Sequence, residues 1–355
     1  MVARGRWLIG AVLMAAFGLG AAPFSPGETP PASARGADGC LDDVVPVALG
    51  PGRPADQQVV VQLCGPAPLE GRVVHVLSSG ATYGPSAWDL PYQPERYSYV
   101  RAMNAAGIAT LNVTRLGMAD SSHPDSSEVN TPNQIFIFQQ LIDGLRDGRF
   151  GVAFDKIVVV GHSYGAVISY GVGNRHAGKV DGVIITGLQH EFDPVFLRQF
   201  WANLHPANEE GGRFANLDSG YLTTRAGQRH VFYRQEAVDP KIIELDEATK
   251  ETFTRDDGLT FPPVMGESEG IKAPVLDVMG EYDAWFCSGQ PCSSSTGTPS
   301  RERQWFDGTS CFEQYVLPEA GHDINAHYTA PQWFAVAVEW TRRMVSAGGP
   351  CQAKS

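Results

Sequence analysis

The chain of 355 residues contains few charged side chains and no run of five basic residues. Charged residues make up 19% of the sequence, and their formal net charge is −12. Nucleic acids and anionic membrane surfaces bind basic patches, so this composition disfavours both as partners. The charge leaves the oligomeric state open.

The sequence also lacks the usual patterns for metals, dinucleotides and lipid anchors. No two cysteines have Cys-x-x-Cys spacing, and no histidine pair with ligand spacing lies near the cysteines. No glycine fingerprint for a dinucleotide follows an early strand, and no basic cluster marks a phosphate or coenzyme A site. No cysteine adjoins the N-terminal apolar run as a lipid-attachment site. We therefore expect no cofactor, no metal ion and no stable membrane anchor.

The N-terminal residues differ from the rest of the chain. Arg4 and Arg6 precede an apolar stretch that extends over residues 7–17, and small residues follow around Ala21 and Ala22. This order is typical of a secretory signal peptide, and the stretch is too short to favour a membrane span. A segment rich in Pro, Ala and Gly follows. We predict that residues 1–38 are a signal peptide with a disordered leader, and that the protein is secreted.

Six cysteines agree with export into an oxidising compartment. Their even number predicts three disulfides, and Cys40 with Cys64 is a candidate pair near the N-terminus. The pairing of the other four stays open, and all of them lie in the last quarter of the chain: Cys287, Cys292, Cys311 and Cys351.

Short apolar runs alternate with helix-like segments along most of the chain. Seven runs predict strands: QQVVVQLCG, RVVHVLSSG, GIATLNV, KIVVVGH, DGVIITG, APVLDVMG and FEQYVLP. Continuous Val, Ile and Leu are expected where a strand of a parallel sheet is buried on both faces. Thr131 before Pro132 predicts the capped start of a helix with an apolar face. We predict an α/β fold with a mostly parallel central sheet flanked by helices.

Residues 190–270 interrupt this alternation. The segment is polar and mixed, without a clear strand pattern, and it is too long for a plain loop in a compact domain. We predict that it is an inserted helical cap. The predicted core then consists of residues 39–189 and 271–355.

A serine lies between two glycines directly after one predicted strand. In the pentapeptide GHSYG, Ser163 follows the run KIVVV and precedes a helix-like stretch. A sharp strand-to-helix turn strains the central residue, and Gly161 and Gly165 remove the Cβ atoms that would clash. Such a turn exposes the serine hydroxyl at the carboxyl edge of the sheet, over a helix N-terminus that stabilises a developing anion.

This pentapeptide resembles the nucleophile elbow of α/β-hydrolase-fold enzymes, and the resemblance extends over about residues 57–347. The family implies an acid and then a histidine after later strands. The sequence GEYD has Asp283 after one predicted strand, and AGH has His322 after the last. The resemblance therefore implies that Ser163, His322 and Asp283 form a catalytic triad. The histidine takes the serine proton, and the carboxylate fixes the histidine tautomer.

Other residues compete for the role of the acid. Asp193 follows the preceding strand, whereas Asp277 lies inside a predicted strand and is expected to point into the sheet packing. Asp323 is adjacent to His322 and cannot easily face its ring. His162 neighbours the serine, but we expect its side chain to leave the turn in another direction.

The resemblance also implies an oxyanion hole made of backbone N–H groups. One donor is Tyr164, and the other comes from the loop after an early strand, where Ala81 and Thr82 are the candidates. Many family members carry His-Gly in this loop, and this chain has Ser79-Gly80 instead. The choice between the two candidates stays open.

Four apolar residues of the predicted cap are candidates for a substrate site: Val195, Phe196, Phe200 and Trp201. The alternative is that they form the small core of the cap itself. The resemblance implies a secreted serine esterase or lipase-like enzyme that cleaves a small-molecule carboxylic ester through an acyl-enzyme. An amidase, a peptidase or a lactonase would use the same triad, and a non-catalytic binding protein would share the fold.

Overall fold

A computed structural model describes residues 39–287, 291–292, 301–309 and 311–349. The predicted signal peptide and leader, and Cys351, lie outside the described residues. Within the described ranges, eight strands form one sheet, with all strands of the chain numbered in order: β1 (Cys40–Val47), β2 (Gln57–Cys64), β3 (Val73–Ser78), β4 (Ala109–Thr114), β5 (Lys156–His162), β6 (Gly182–Thr186), β10 (Val275–Gly280) and β11 (Phe312–Leu317).

The main sheet is parallel except at one edge. The strand order is β1-β2-β4-β3-β5-β6-β10-β11. The pairs β1–β2 and β2–β4 are antiparallel, and all other neighbours are parallel. All seven predicted strands are present, and β1 is an additional edge strand. Its polar and proline-containing sequence, CLDDVVPV, has no continuous apolar run. The disulfide Cys40–Cys64 joins the first residue of β1 to the last residue of β2, which confirms the candidate pair.

Helices cover both faces of the sheet, and their bounds are as follows: α1 (Pro94–Tyr97), α2 (Tyr99–Ala105), α3 (Thr131–Arg146), α4 (Tyr164–Arg175), α5 (Pro194–Asn203), α6 (Pro240–Thr249), α7 (Arg255–Thr260), α8 (Pro262–Met265) and α9 (Ala330–Trp340). Buried residues of α3 and α4 pack on one face together with Val74 and Val76 of β3. Buried residues of α2 and α9 pack on the other face with Val73 and Leu77. The central strands β3, β4, β6 and β10 are therefore buried on both sides, whereas β2 and β11 are partly exposed.

The start of α3 differs from the prediction. Asn130 caps the helix, because its side chain accepts a hydrogen bond from the backbone N–H of Asn133 at 3.1 Å. The hydroxyl of Thr131 instead lies 3.0 Å from the Tyr164 hydroxyl and donates to the Asp257 carbonyl at 3.1 Å. Thr131 is the first helical residue, and its side chain connects three segments.

The segment between β6 and β10 contains helices, as predicted, and also short strands that the sequence did not predict. It contains α5 to α8 and a three-stranded antiparallel sheet of β7 (Leu204–Pro206), β8 (Tyr221–Thr224) and β9 (Phe253–Thr254). These strands have three, four and two residues, which is too short for a periodic apolar pattern. Below, "the insertion" means residues 187–274.

The carboxyl ends of the parallel strands meet at one edge of the sheet. Ser78 at the end of β3 pairs with Gly161 of β5, and Gly280 at the end of β10 pairs with Leu317 of β11. The connection that leaves β3 runs to β4 on one side, and the connection that leaves β5 runs to β6 on the other; ligands of open α/β sheets bind outside such a reversal. No helix within the described ranges is long and apolar enough to span a bilayer.

Candidate active site

The turn between β5 and α4 has the strained geometry that the glycine spacing predicts. Ser163 has φ 53° and ψ −118°, and α4 begins at the next residue. A Cβ atom on Gly165 would lie 2.1 Å from the Ser78 carbonyl oxygen, and one on Gly161 would lie 2.2 Å from the Gly165 carbonyl oxygen. Neither position can hold a larger residue without a backbone shift, so the two glycines make this tight turn around Ser163 sterically possible.

Asp283 and His322 form a buried hydrogen bond. The distance between His322 Nδ1 and Asp283 Oδ2 is 2.8 Å, and the two side chains are 2% and 0% exposed. The other carboxylate oxygen, Oδ1, accepts the backbone N–H of Trp285 at 3.1 Å. The disulfide Cys287–Cys292 closes the loop that follows, and the Cys287 N–H donates to the Asp283 carbonyl at 2.9 Å. These contacts fix the carboxylate, which in turn orients the imidazole ring.

The competing carboxylates have other partners. Asp193 caps α5, and its Oδ1 accepts the N–H of Val195 at 2.8 Å. Asp277 lies in β10 and accepts a hydrogen bond from Gln314. Asp323 faces the insertion, where its Oδ2 lies 3.3 Å from the Tyr233 hydroxyl.

A cavity lies at the serine turn, and its wall contacts the histidine through aromatic side chains. Ser163 lines it directly, and aromatic side chains in its wall pack on the His322 ring. The Trp285 ring is stacked 5.2 Å from the imidazole, centroid to centroid, and Phe232 lies at 5.9 Å. No direct hydrogen bond joins the Ser163 hydroxyl to His322 among the described residues.

Fifteen residues line this cavity, and none of them is charged: Ala81, Tyr83, Ser163, Tyr164, Val167, Leu188, Phe192, Leu197, Phe200, Trp201, Phe232, Phe253, Phe261, Trp285 and Phe286. Of the candidates in α5, Phe200 and Trp201 are in this set, whereas Phe196 is not and Val195 is 48% exposed. Leu197 has the i, i+3, i+4 relation to Phe200 and Trp201 that places three residues on one helix face, a signal that the sequence analysis missed. A separate surface groove beside α2 and α9 contains none of the predicted site residues.

Two of the three candidate oxyanion donors line the cavity. Ala81 and Tyr164 do so, and the structure shows no hydrogen-bond acceptor for either backbone N–H among the residues described. Thr82 is not in the lining, and its hydroxyl accepts a hydrogen bond from Arg229 at 2.6 Å. Buried Arg115 donates to the carbonyl of Gly80 at 3.0 Å and so fixes the peptide group that carries the Ala81 N–H.

His162 lies next to His322 but takes no part in the hydrogen bond between His322 and Asp283. Its ring lies 4.9 Å from the His322 ring, and its Nδ1 lies 3.1 Å from the Thr186 hydroxyl at the end of β6. Burial and the neighbouring His322 keep the pKa of His162 well below its ordinary value. The ring is therefore neutral near pH 7.

The insertion also contacts the residue after the serine. The Tyr164 hydroxyl donates to Asp257 Oδ1 at 2.6 Å, and the Arg115 guanidinium lies 4.8 Å from the Tyr164 ring centroid. Burial raises the pKa of Asp257 to about 6, against the opposing effect of Arg115. In the described part of the chain, no group of three or more His, Cys, Asp or Glu residues could hold a metal ion.

The family model described as "Alpha/beta hydrolase family" matches residues 73–337. The chain therefore belongs to the α/β-hydrolase family, and it is a hydrolase of that class. No curated protein matches its sequence.

Solved structures of hydrolases share the fold at low sequence identity. The enol-lactonase from Burkholderia xenovorans LB400 has a TM-score of 0.55 and 16% identity, with 81% of this chain and 97% of that chain covered. A thermophilic esterase from Thermogutta terrifontis has a TM-score of 0.54 and 14% identity, with coverage of 85% and 98%. An epoxide hydrolase from Vigna radiata has a TM-score of 0.55 and 13% identity, with coverage of 86% and 99%.

Proposed function

We propose that this protein is a serine hydrolase that cleaves carboxylic esters through an acyl-enzyme on Ser163. The observation that carries the proposal is the buried Asp283–His322 hydrogen bond beside the cavity that Ser163 lines. A serine hydroxyl is a weak nucleophile, and a neutral imidazole held by a carboxylate is the general base that activates it. The strained turn presents that hydroxyl at the open edge of the sheet.

The proposed reaction has two steps. Ser163 Oγ attacks the acyl carbon while His322 Nε2 takes its proton, and the carbonyl oxygen becomes an oxyanion facing the N–H groups of Ala81 and Tyr164. His322 then gives the proton to the leaving alcohol. In the second step His322 takes a proton from water, the hydroxide attacks the acyl carbon, and the serine leaves with that proton. Asp283 stays ionised and stabilises the imidazolium in both steps.

The cavity favours an uncharged and apolar substrate. Its walls are mainly aromatic, and a charged acyl or alcohol group would lose its hydration there without gaining an ionic partner. We propose that Phe200 and Trp201 of α5 bind the apolar part of the ester, so that the insertion is a cap over the site.

We also propose that the enzyme is secreted. The disulfides Cys40–Cys64 and Cys287–Cys292 support an oxidising compartment, and Cys311 is disulfide-bonded as well. The N-terminal pattern predicts a signal peptide. The mass of the protein recovered from the medium tests this point, because removal of the signal peptide shortens the chain from its N-terminus.

Hydrolysis of p-nitrophenyl esters from acetate to palmitate tests the activity. We expect turnover that depends on acyl length for the wild type, none for Ser163→Ala, and wild-type rates for the exposed control Ser127→Ala. Turnover that persists in Ser163→Ala would contradict the proposal. A wild type that hydrolyses amides or lactones but no ester would keep the triad and overturn the proposed substrate.

A further inference from the structure

The insertion places a buried arginine against the loop that follows β3. The Arg229 side chain is 0% exposed. Its Nε donates to Asp246 Oδ2 at 2.8 Å, and Nη2 donates to the second carboxylate oxygen. The remaining nitrogen, Nη1, donates to the Thr82 hydroxyl at 2.6 Å. One planar guanidinium therefore joins a helix of the insertion to the residue after Ala81, in a geometry that only an arginine provides.

Thr82 has a backbone conformation that its side chain disfavours. Its φ is 60°, in the left-handed region, which a β-branched side chain disfavours because its Cβ crowds the backbone. Two contacts from the insertion hold it there: Arg229 on the hydroxyl, and the Glu251 N–H, which donates to the Thr82 carbonyl at 2.9 Å. The Ala81 N–H belongs to the Gly80–Ala81 peptide, whose carbonyl Arg115 holds, and Thr82 is the next residue along the chain. A change of backbone conformation at Thr82 therefore reaches this N–H through the φ and ψ angles of Ala81.

The Arg229–Asp246 pair is also linked, through Tyr233, to the residue that follows His322. The Tyr233 hydroxyl donates to Asp246 Oδ2 at 2.6 Å and lies 3.3 Å from Asp323 Oδ2. Asp323 directly follows His322, and its N–H donates to the Phe232 carbonyl at 3.1 Å. The Arg229–Asp246 pair thus lies between the candidate oxyanion loop and the candidate base.

We propose that Arg229 is a positioning residue that holds Thr82 in its left-handed conformation and thereby aims the Ala81 N–H at the oxyanion. This inference rests on the proposed function. Arg229 contacts no reacting atom, and its effect passes through the loop. Loss of one oxyanion donor costs about 100- to 1,000-fold in kcat, so a misaimed donor should cost roughly 10- to 100-fold.

Activity measurements on Arg229→Met test the effect on catalysis. We expect kcat on a p-nitrophenyl ester to fall roughly 10- to 100-fold with KM changed less than threefold, because the donor acts on the transition state. The double variant Arg229→Met/Asp246→Asn avoids a buried unpaired carboxylate and should show the same loss with better folding. Lys241→Met on the exposed side of α6 is the matched control and should behave as the wild type.

A rescue variant separates positioning from general destabilisation. Glycine adopts positive φ without a steric penalty. Adding Thr82→Gly to Arg229→Met should therefore restore at least one third of the decrease in log kcat. A purely structural role of Arg229 would lower the unfolding temperature and give no such recovery. Absence of recovery in a folded double variant would overturn the proposal.

Hydrogen exchange of the peptide covering residues 79–84 gives a readout that does not need activity. We expect faster exchange in Arg229→Met than in the wild type and in Lys241→Met. Unchanged exchange would overturn the positioning role, whatever the activity. If the wild type neither hydrolyses esters nor reacts with a fluorophosphonate, the proposed function fails, and with it the effect of Arg229 on catalysis. Faster exchange in Arg229→Met would then still support the role of Arg229 in holding the conformation of Thr82.

Discussion

Asp283→Asn is the substitution that tests most sharply whether Asp283 sets the tautomer of His322. Asp283 Oδ1 accepts the N–H of Trp285 at 3.1 Å, and Oδ2 faces His322 Nδ1 at 2.8 Å. An asparagine that keeps its oxygen on the Trp285 N–H must direct its NH₂ group at Nδ1. The imidazole then becomes an acceptor at Nδ1, so that Nε2 carries the proton and can no longer take one from Ser163.

The expected effect is large in rate and small in structure. A histidine held in the wrong tautomer costs about 10⁴-fold in kcat, or about 5 kcal/mol of activation free energy. The asparagine has nearly the same volume as the aspartate, so we expect the fold to remain. Steady-state hydrolysis of a p-nitrophenyl ester measures kcat, and circular dichroism checks the fold.

Asp193→Asn is the matched control for this substitution. Asp193 caps α5, and asparagine caps helices about as well as aspartate, so kcat and the unfolding temperature should stay close to wild type. An Asp283→Asn enzyme that keeps kcat within tenfold of the wild type would refute the reasoning, because the carboxylate would then not set the tautomer. A loss in Asp193→Asn alone would move the acid to the rival position.

Three further predictions concern the turn, the cavity and pH. Gly165→Ala places a Cβ atom 2.1 Å from the Ser78 carbonyl, so thermal unfolding should show a lower midpoint and a fluorophosphonate should label Ser163 more slowly, whereas Gly178→Ala, with no atom within 4 Å, should show neither effect. Trp201→Ala enlarges the cavity and should shift the preferred p-nitrophenyl ester to longer acyl chains, and exposed Leu259→Ala should leave the preference unchanged. Burial and Asp246 raise the pKa of Asp323 from 3.8 to about 7, against the effect of His322 and Arg229, so the folded state binds the proton more tightly than the unfolded state. The free energy of unfolding should therefore fall by roughly 1 kcal/mol per pH unit between about pH 4 and 7, and in Asp323→Asn the unfolding midpoint should fall less over this range.

The sequence predicted the parts of the fold that have a local signature. Seven strands appear as continuous apolar runs, and the turn at Ser163 appears as a glycine pattern with a steric reason that the structure reproduces. The edge strand β1 was not predicted because it has no continuous apolar run. Antiparallel pairing with β2 and the disulfide Cys40–Cys64 hold it in the sheet instead. The strands of the insertion were not predicted because two to four residues are too few to show an alternating pattern.

The sequence predicted those residues of the candidate site that directly follow a strand. It did not predict the residues whose role depends on contacts between distant segments. Ser163, Asp283 and His322 each follow a predicted strand, and the structure brings the last two into contact. The buried pair of Arg229 and Asp246, by contrast, consists of two ordinary charged residues in a polar segment. Their role depends on contacts with each other and with Thr82, which is distant in sequence, and no local pattern predicts such contacts.

Fluorophosphonate labelling followed by peptide mapping tests the central claim most directly. The probe phosphonylates a serine that a base activates, and it does so without any assumption about the substrate. The account predicts one adduct per chain on Ser163 in the wild type, none in Ser163→Ala, and much slower labelling in Asp283→Asn. An adduct on another serine, or no adduct on a folded wild-type protein, would contradict the account and favour a binding protein with a hydrolase fold.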